Sequence, residues 1–215
     1  MSVYIPGHFT VEDHAAVARL IHDHPFATLI TPGTPEPFVT HLPLLHVADC
    51  DPNGTLLGHF ARANPHWRHA EAAESIAIFH GPHAYVSPSW YAQPATAVPT
   101  WNYAVAHAHG TMKLSQEPAA TRSILDAMIH RFESTRPAPW QIGLDKRGLD
   151  AMVGAIIGFR LKLKRIDVKF KMSQNRVPED RARVVAALDE ENHADAAATA
   201  AWMRAYAGIV PDEPR

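Results

Sequence analysis

Histidine is the residue type whose number and spacing first suggest chemistry. The chain has 15 histidines, and His22-x-His24, His66-x-x-His69, His80-x-x-His83 and His107-x-His109 set several in close pairs. Residues i and i+2 of a strand share a face, so His107 and His109 could reach one metal ion together. No His-Glu-x-x-His is present and no pair has a third ligand at a recognised spacing, so no metal is expected. Nucleophilic catalysis has less support. There is no Gly-x-Ser-x-Gly elbow, and Cys50, the single cysteine, lies between Asp49 and Asp51, whose charges oppose a thiolate. One cysteine also excludes an intramolecular disulfide and a multi-cysteine zinc or iron–sulfur centre, and it suits a reducing cytosol.

Three further patterns point to ligands. Residues 84–91 and 98–103 place two tryptophans and three tyrosines among small hydroxyl residues. Such segments suit either a flat ring held between apolar faces or a subunit interface. Arg62 stands just before Asn64-Pro65, an N-cap followed by proline at the first helical position. A guanidinium beside a helix start suits a phosphate, although an exposed arginine next to an ordinary cap has the same sequence. From Arg160 to Arg176, seven Lys and Arg face only Asp167, a local excess of +6 in a chain of net charge −2. That stripe suits DNA or a phosphorylated ligand, or simply the solvent face of an alternating strand. The negative net charge argues against a broad nucleic-acid surface.

The elements that hold these residues follow from periodicity. Thr10 to Asp13 reads as a capping box for a helix over 11–24, stopped by Pro25. Strands are expected over Phe26–Thr31 and Phe38–Val47, the second forced to an edge or a bulge by Pro43. Another, Thr55–Ala61, follows the hairpin signal Asp51-Pro52-Asn53-Gly54. A short helix begins at Asn64-Pro65. Two short strands, 75–80 and 84–87, flank Gly81-Pro82, and a longer one covers Trp101–Leu114. Helices are expected over 117–134, with Leu125, Met128, Ile129 and Phe132 at core spacing, and over 146–156. Phe159, Leu161 and Leu163 then alternate with charge, and Ile166, Val168, Phe170 and Met172 do so on the opposite parity. This reads as a strand pair with a bulge or bend at Lys164-Arg165. Helices over Pro178–Glu191 and Asn192–Tyr206 end the pattern.

About seven strands joined largely by hairpins, with flanking helices, predict an α+β fold built on an antiparallel barrel. Regular β/α alternation, Gly-x-Gly-x-x-Gly and Gly-x-x-x-x-Gly-Lys-Ser/Thr are all absent, which excludes the common nucleotide cradles. At 215 residues, 47% hydrophobic and 20% charged, the composition is that of an ordinary globular domain. Residues 1–190 are expected to form it, with an alanine-rich helix and tail over 191–215. No apolar run approaches the ~18–20 residues of a membrane span, and no basic-then-apolar leader opens the chain. A cytoplasmic location is expected.

One set of motifs occurs in order: Tyr4-Ile-Pro within Met1–Phe9, His24-Pro-Phe-Ala-Thr28, Thr40-His-Leu-Pro43 and Gly58-His-Phe-Ala-Arg-Ala-Asn-Pro-His-Trp67. Gly81-Pro-His-Ala-Tyr-Val-Ser-Pro-Ser-Trp-Tyr91, Val98-Pro-Thr-Trp-Asn-Tyr103 and Lys171-Met-Ser-Gln-Asn-Arg176 complete it. With these the chain, from residue 1 to about 190, resembles the PaiB family of FMN-binding negative transcriptional regulators. The resemblance implies a split β-barrel of the flavin-reductase and pyridoxine-phosphate-oxidase type, homodimeric, with FMN at the subunit interface. It implies Arg62 as the phosphate ligand, with His59, Asn64 and His66 close by, and Thr40, His41 and Leu42 lining the isoalloxazine edge. It places Thr100, Trp101, Asn102, Lys171 and Gln174 near the cofactor, while His83, Trp90 and Tyr91 are the expected substrate-facing groups. The chain departs from the family at Phe170, where tryptophan is usual, and in a short, uncharged loop over Ala92–Ala97. The implied function is regulation of transcription through flavin, without a classical DNA-binding motif. The alternative is a flavin-dependent oxidoreductase on a small molecule, in which the flavin supplies the redox chemistry. A third reading is a haem-binding or haem-handling split barrel.

Overall fold

Proline placement decides how the strands are cut. Among the described residues, 3–49 and 52–207, a computed structural model shows seven strands and six α-helices. Cys50, Asp51 of the hairpin signal, the first two residues of the Met1–Phe9 motif and the tail beyond 207 lie outside them. In chain order come α1 (His14–Asp23), β1 (Phe26–Thr31), β2 (Phe38–Pro43), β3 (Leu45–Val47), β4 (Thr55–Ala61), α2 (Trp67–Ala70) and β5 (Glu74–Val86). Then follow β6 (Thr100–Leu114), α3 (Pro118–Glu133), α4 (Lys146–Gly154), β7 (Ile156–Lys171), α5 (Pro178–Glu190) and α6 (Ala194–Tyr206).

The strands form one sheet in the order β2-β1-β5-β6-β7-β4-β3. The pairs β1–β2, β1–β5, β3–β4 and β4–β7 are antiparallel. Pro43 closes β2, buried Leu44 follows, and β2 and β3 lie at the two ends of the order. The expected strand over 38–47 is therefore two edge strands, where a missing N–H is tolerated.

The described residues fall into two compact units of discontinuous segments. In the unit of residues 21–79 and 107–166, Leu29, Leu44, Leu56, Phe60, Phe79, Phe159 and Leu161 are almost fully buried. The Phe60 and Phe159 rings lie 4.8 Å apart. A Cβ on Gly58 would come within 2.6 Å of Leu44 and 2.7 Å of Phe159, so β4 can lie here only without a side chain. Gly54, at φ +70°, makes the left-handed turn into β4. Leu57, Ile124 and Met128 seat α3 on β4, with Phe132 packed against them.

In the unit of residues 3–20, 80–106 and 167–207, Phe170 and Met172 are fully buried. Phe170 meets Trp202 edge-on at 5.0 Å and Tyr206 at 5.1 Å, and α5 packs on α6. The Lys169 ammonium lies 5.5–5.8 Å from the Tyr4, Phe9 and Tyr103 rings and donates to the Tyr4 carbonyl at 3.0 Å. These cation–π contacts tether the N-terminal segment to β7.

Three expected boundaries are corrected. Residues 75–80 and 84–87 are one strand, β5, whose buried parity flips across Gly81-Pro82, from Ser75, Ala77 and Phe79 to Ala84 and Val86. The strand pair around Lys164-Arg165 is likewise the single strand β7, with both residues exposed where the parity switches. A one-residue slip absorbed in place keeps a strand continuous while turning it over. Third, α1 starts later than expected, because Asp13 rather than Thr10 caps it. The Ala15 N–H donates to Asp13 Oδ1 at 2.8 Å, while Thr10 bridges to Lys169.

Helix α4 opens on Asp145, whose Oδ1 accepts from the Gly148 N–H at 2.8 Å. Asp145→Ala is expected to cost about 1 kcal/mol and lower the thermal midpoint by roughly 2–4 °C. Scanning calorimetry showing an unchanged midpoint would remove the cap from the account.

Candidate functional site

Strand β2 and the segment after β4 are stitched together by side chains of the expected site. Asn64 Nδ2 donates to Thr40 Oγ1 at 3.1 Å, Asn64 Oδ1 accepts from the His66 N–H at 3.0 Å, and Thr40 Oγ1 lies 2.8 Å from His66 Nδ1. Thr40 Oγ1, which accepts from Asn64, can donate its own proton to His66 Nδ1, an arrangement that places the imidazole proton on Nε2. That nitrogen is buried and has no partner among the described residues. The His66 ring is 1% exposed, beside Phe60 at 5.0 Å and Phe38 at 5.7 Å. Burial, and then the charge of His69, push its pKa down to about 4, so the imidazole is neutral near pH 7. His59 is also lowered by burial, and its Nδ1 has no partner among the described residues. His41 is exposed, 3.1 Å from Thr28 Oγ1 and stacked near Phe26, whereas the Leu42 side chain is core.

Arg62 ends this segment. Its Nε donates to the Gly154 carbonyl at 2.5 Å and its Nη2 to the Ile156 carbonyl at 3.2 Å, while its own N–H donates to Ala155 at 2.8 Å. These bonds hold the guanidinium where α4 gives way to β7, with three N–H groups to spare. There it lines a cavity of about 480 Å3 together with Ser115, Gln116, Thr121, Arg122 and Asp150. Arg122 donates from Nε to both carboxylate oxygens of Asp126, at 2.7 and 2.8 Å, so part of its charge is answered on the helix. The helix expected at Asn64-Pro65 is only the four-residue α2, beginning at Trp67. The polar wall beside Arg62 comes instead from the residues leading into α3. No motif marks Ser115, Gln116 or Arg122, and the sequence signal available was Pro118 at the first position of α3.

The other expected contacts belong to the unit of residues 3–20, 80–106 and 167–207. Lys171 Nζ donates to Thr100 Oγ1 and, at 2.6 Å, to the Trp101 carbonyl. Burial and the charges of Lys169 and Arg176 hold its pKa below the usual lysine range. Asn102 is fully buried, its Nδ2 2.9 Å from Ser173 Oγ and 3.3 Å from Met203 Sδ. This steadies Ser173, which sits at φ +64°. Gln174 turns back on its own loop, accepting from Met172 N and donating to the Phe170 carbonyl. Tyr91 is buried, its hydroxyl without a partner among the described residues and the Arg176 guanidinium 4.4 Å from its ring; Trp90 is half-buried, and His83 is exposed. The structure thus gathers Thr40, Asn64 and His66 in one place and Thr100, Trp101 and Lys171 in another.

The basic stripe is dispersed by its own contacts. Lys164 pairs with Glu74, Arg165 reaches the His109 ring, Lys169 is covered by aromatic rings, Lys171 is tied to β6 and Arg176 covers Tyr91. Lys162 has a partner too, so at least six of the seven cations are engaged within the fold.

The fold is shared with solved structures. The FAD and heme binding protein of Mycobacterium smegmatis matches with a TM-score of 0.60, covering 80% of this chain and 78% of that one at 19% identity. The flavocytochrome Anf3 of Azotobacter vinelandii matches with a TM-score of 0.59, 75% and 69% coverage and 14% identity. The fold is therefore that of the split β-barrel proteins, as the motifs implied. The family is narrower. A family model described as "Putative FMN-binding domain" matches residues 3–165, and the chain belongs to that family. The Bacillus subtilis "Protease synthase and sporulation protein PAI 2" is 34% identical over 204 residues, 94% of this chain and 96% of that protein. An uncharacterized protein of Emericella nidulans is 28% identical, with 80% and 84% coverage.

Proposed function

We propose that the protein binds FMN, with Arg62 as its phosphate ligand, and acts as a flavin-linked regulator of PaiB type rather than by gripping DNA itself. The observation that carries the reading is the 480 Å3 cavity, whose wall combines Arg62, its guanidinium braced and with N–H groups unused, with Arg122, Ser115 and Gln116, and also holds Glu117 and Asp150. A cavity of that size and lining fits a phosphorylated ligand. His66 Nε2 and His59 Nδ1, buried and without a partner among the described residues, are proposed as further polar contacts for the cofactor, while Thr40, His41 and Leu42 are proposed to line the isoalloxazine edge. Bound flavin would supply the redox chemistry, so that no side chain need act as a nucleophile. Arg62 and Arg122 would hold the phosphate, and Thr40, Asn64 and neutral His66 would fix strand β2 against the segment that carries Arg62.

Homodimerisation belongs to the proposal. Phe26 is 65% and Val39 51% exposed, on β1 and the edge strand β2, an apolar surface suited to a second copy. The engagement of the basic stripe supports an indirect effect on transcription. Residues 1–190 are proposed to carry the flavin function and 191–215 to be an appendage to it.

The test is an FMN titration of the purified protein, followed by flavin fluorescence and absorbance. Saturable quenching is expected, with reduction of the bound flavin by NAD(P)H separating the oxidoreductase alternative. An unchanged flavin spectrum at all protein concentrations would overturn the reading. A Soret band on the purified protein would favour the haem reading instead. A mobility-shift titration is expected to show no specific, salt-sensitive DNA binding.

A further inference from the structure

A second cavity, of about 430 Å3, is lined by His83, Tyr85, Trp101, Glu191, His193 and Asp195. Two of these are large aromatic side chains left uncovered: Trp101 is 53% and Tyr85 43% exposed, and their rings meet edge to face at 6.1 Å. The His83 ring lies 6.3 Å from Trp101. His83 Nδ1 is 3.2 Å from the Gly81 carbonyl. A carbonyl only accepts, so the His83 proton is on Nδ1 and Nε2 presents a lone pair. Opposite charge is supplied by the turn between α5 and α6, where the His193 N–H donates to the Glu191 carbonyl at 2.8 Å. Glu191 and Asp195 both line the cavity, and neither carboxylate has a hydrogen bond or ion pair among the described residues. Lys171, tied to the Trp101 carbonyl, is not part of the lining.

The wall also holds donors, the Trp101 indole N–H, the Tyr85 hydroxyl and the His193 imidazole, but its charged groups are the two carboxylates and its large apolar surfaces are two π faces. That combination complements a cation with N–H donors and a hydrocarbon body. Among the described residues no three His, Cys, Asp or Glu groups are placed to hold a metal ion, which favours an organic cation over an inorganic one. We propose that this cavity binds a small organic ammonium ion, its N–H groups on Glu191 and Asp195 and its carbon chain on Trp101 and Tyr85. The two carboxylates lie in or beside the C-terminal segment, beyond the motifs shared with the PaiB family. The proposal does not require bound flavin.

The test is isothermal titration of the full chain, without FMN, using n-butylammonium chloride and 1-butanol as its neutral isostere. The ammonium is expected to bind at least roughly tenfold more tightly than the alcohol. Combining Glu191→Gln with Asp195→Asn is expected to weaken it by about tenfold or more. Trp101→Leu is expected to weaken it by roughly threefold or more, whereas Trp101→Phe keeps a π face and most of the affinity. The idea is overturned if the wild type shows no heat with the ammonium, if butanol binds as well, or if the carboxylate variant binds unchanged.

Discussion

Arg62→Ala is expected to weaken FMN binding by roughly 10- to 100-fold, the range for losing one or two hydrogen bonds to a charged group, while riboflavin binding stays within about twofold. The contrast follows from what Arg62 does in the structure. Its Nε and one Nη2 proton are occupied by the Gly154 and Ile156 carbonyls, so the remaining N–H groups are held at the cavity without further ordering. A preorganised guanidinium gives up little side-chain entropy when a phosphate arrives. Riboflavin lacks the phosphate and would not register the loss. Arg62→Lys separates charge from bracing: a point charge is expected to recover part of the FMN affinity but not the fork geometry. Thermal melts without ligand report any damage from the broken ties to the 154–156 segment. If the alanine variant binds FMN as tightly as wild type, or loses FMN and riboflavin equally, Arg62 is not the phosphate ligand.

How much of this was legible in the sequence depended on whether the signal was local. Strands β1 and β4 appear over the residues that their alternation and turn signals predict. The parity switch at Lys164-Arg165 was also local, and it lies where the residue pattern put it. What the pattern could not say was whether the chain reverses there or continues. Continuation is decided by partners: Arg160 and Lys162 pair with Leu57 and Thr55 of β4, more than a hundred residues earlier. The same holds at Gly81-Pro82, where proline reads locally as an end but β5 runs on. In the candidate site, Arg62 and Asn64 were legible because their motif is contiguous. Ser115, Gln116 and Arg122 were not, since only the packing of α3 against β4 brings them beside Arg62. Lys171 and Asn102 show the converse. Both sit in family motifs, yet their hydrogen bonds to Trp101 and Ser173 give them structural work that no motif announces.

Between pH 7 and pH 4 the wild-type protein is expected to lose about 3 kcal/mol more stability than a His66→Leu variant. The sign follows from the two protonation states. In the unfolded chain His66 titrates near the ordinary value of 6.5; in the fold, burial and His69 hold it near 4. Within that window the unfolded state binds a proton that the native state refuses, so stability falls as pH falls. The contribution is complete above 6.5, disappears progressively down to about 4, and changes little below. His59, lowered by burial, acts in the same direction in both proteins and cancels in the comparison. The leucine variant loses the Thr40 contact and is expected to be less stable at pH 7, but its curve should be flatter. Urea unfolding of both proteins at pH 7, 5.5 and 4 measures the difference. Parallel curves would mean that His66 takes its proton as readily in the fold as in the unfolded chain. The account of His66 as an imidazole held neutral by burial beside Thr40 and Asn64 would then have to be abandoned.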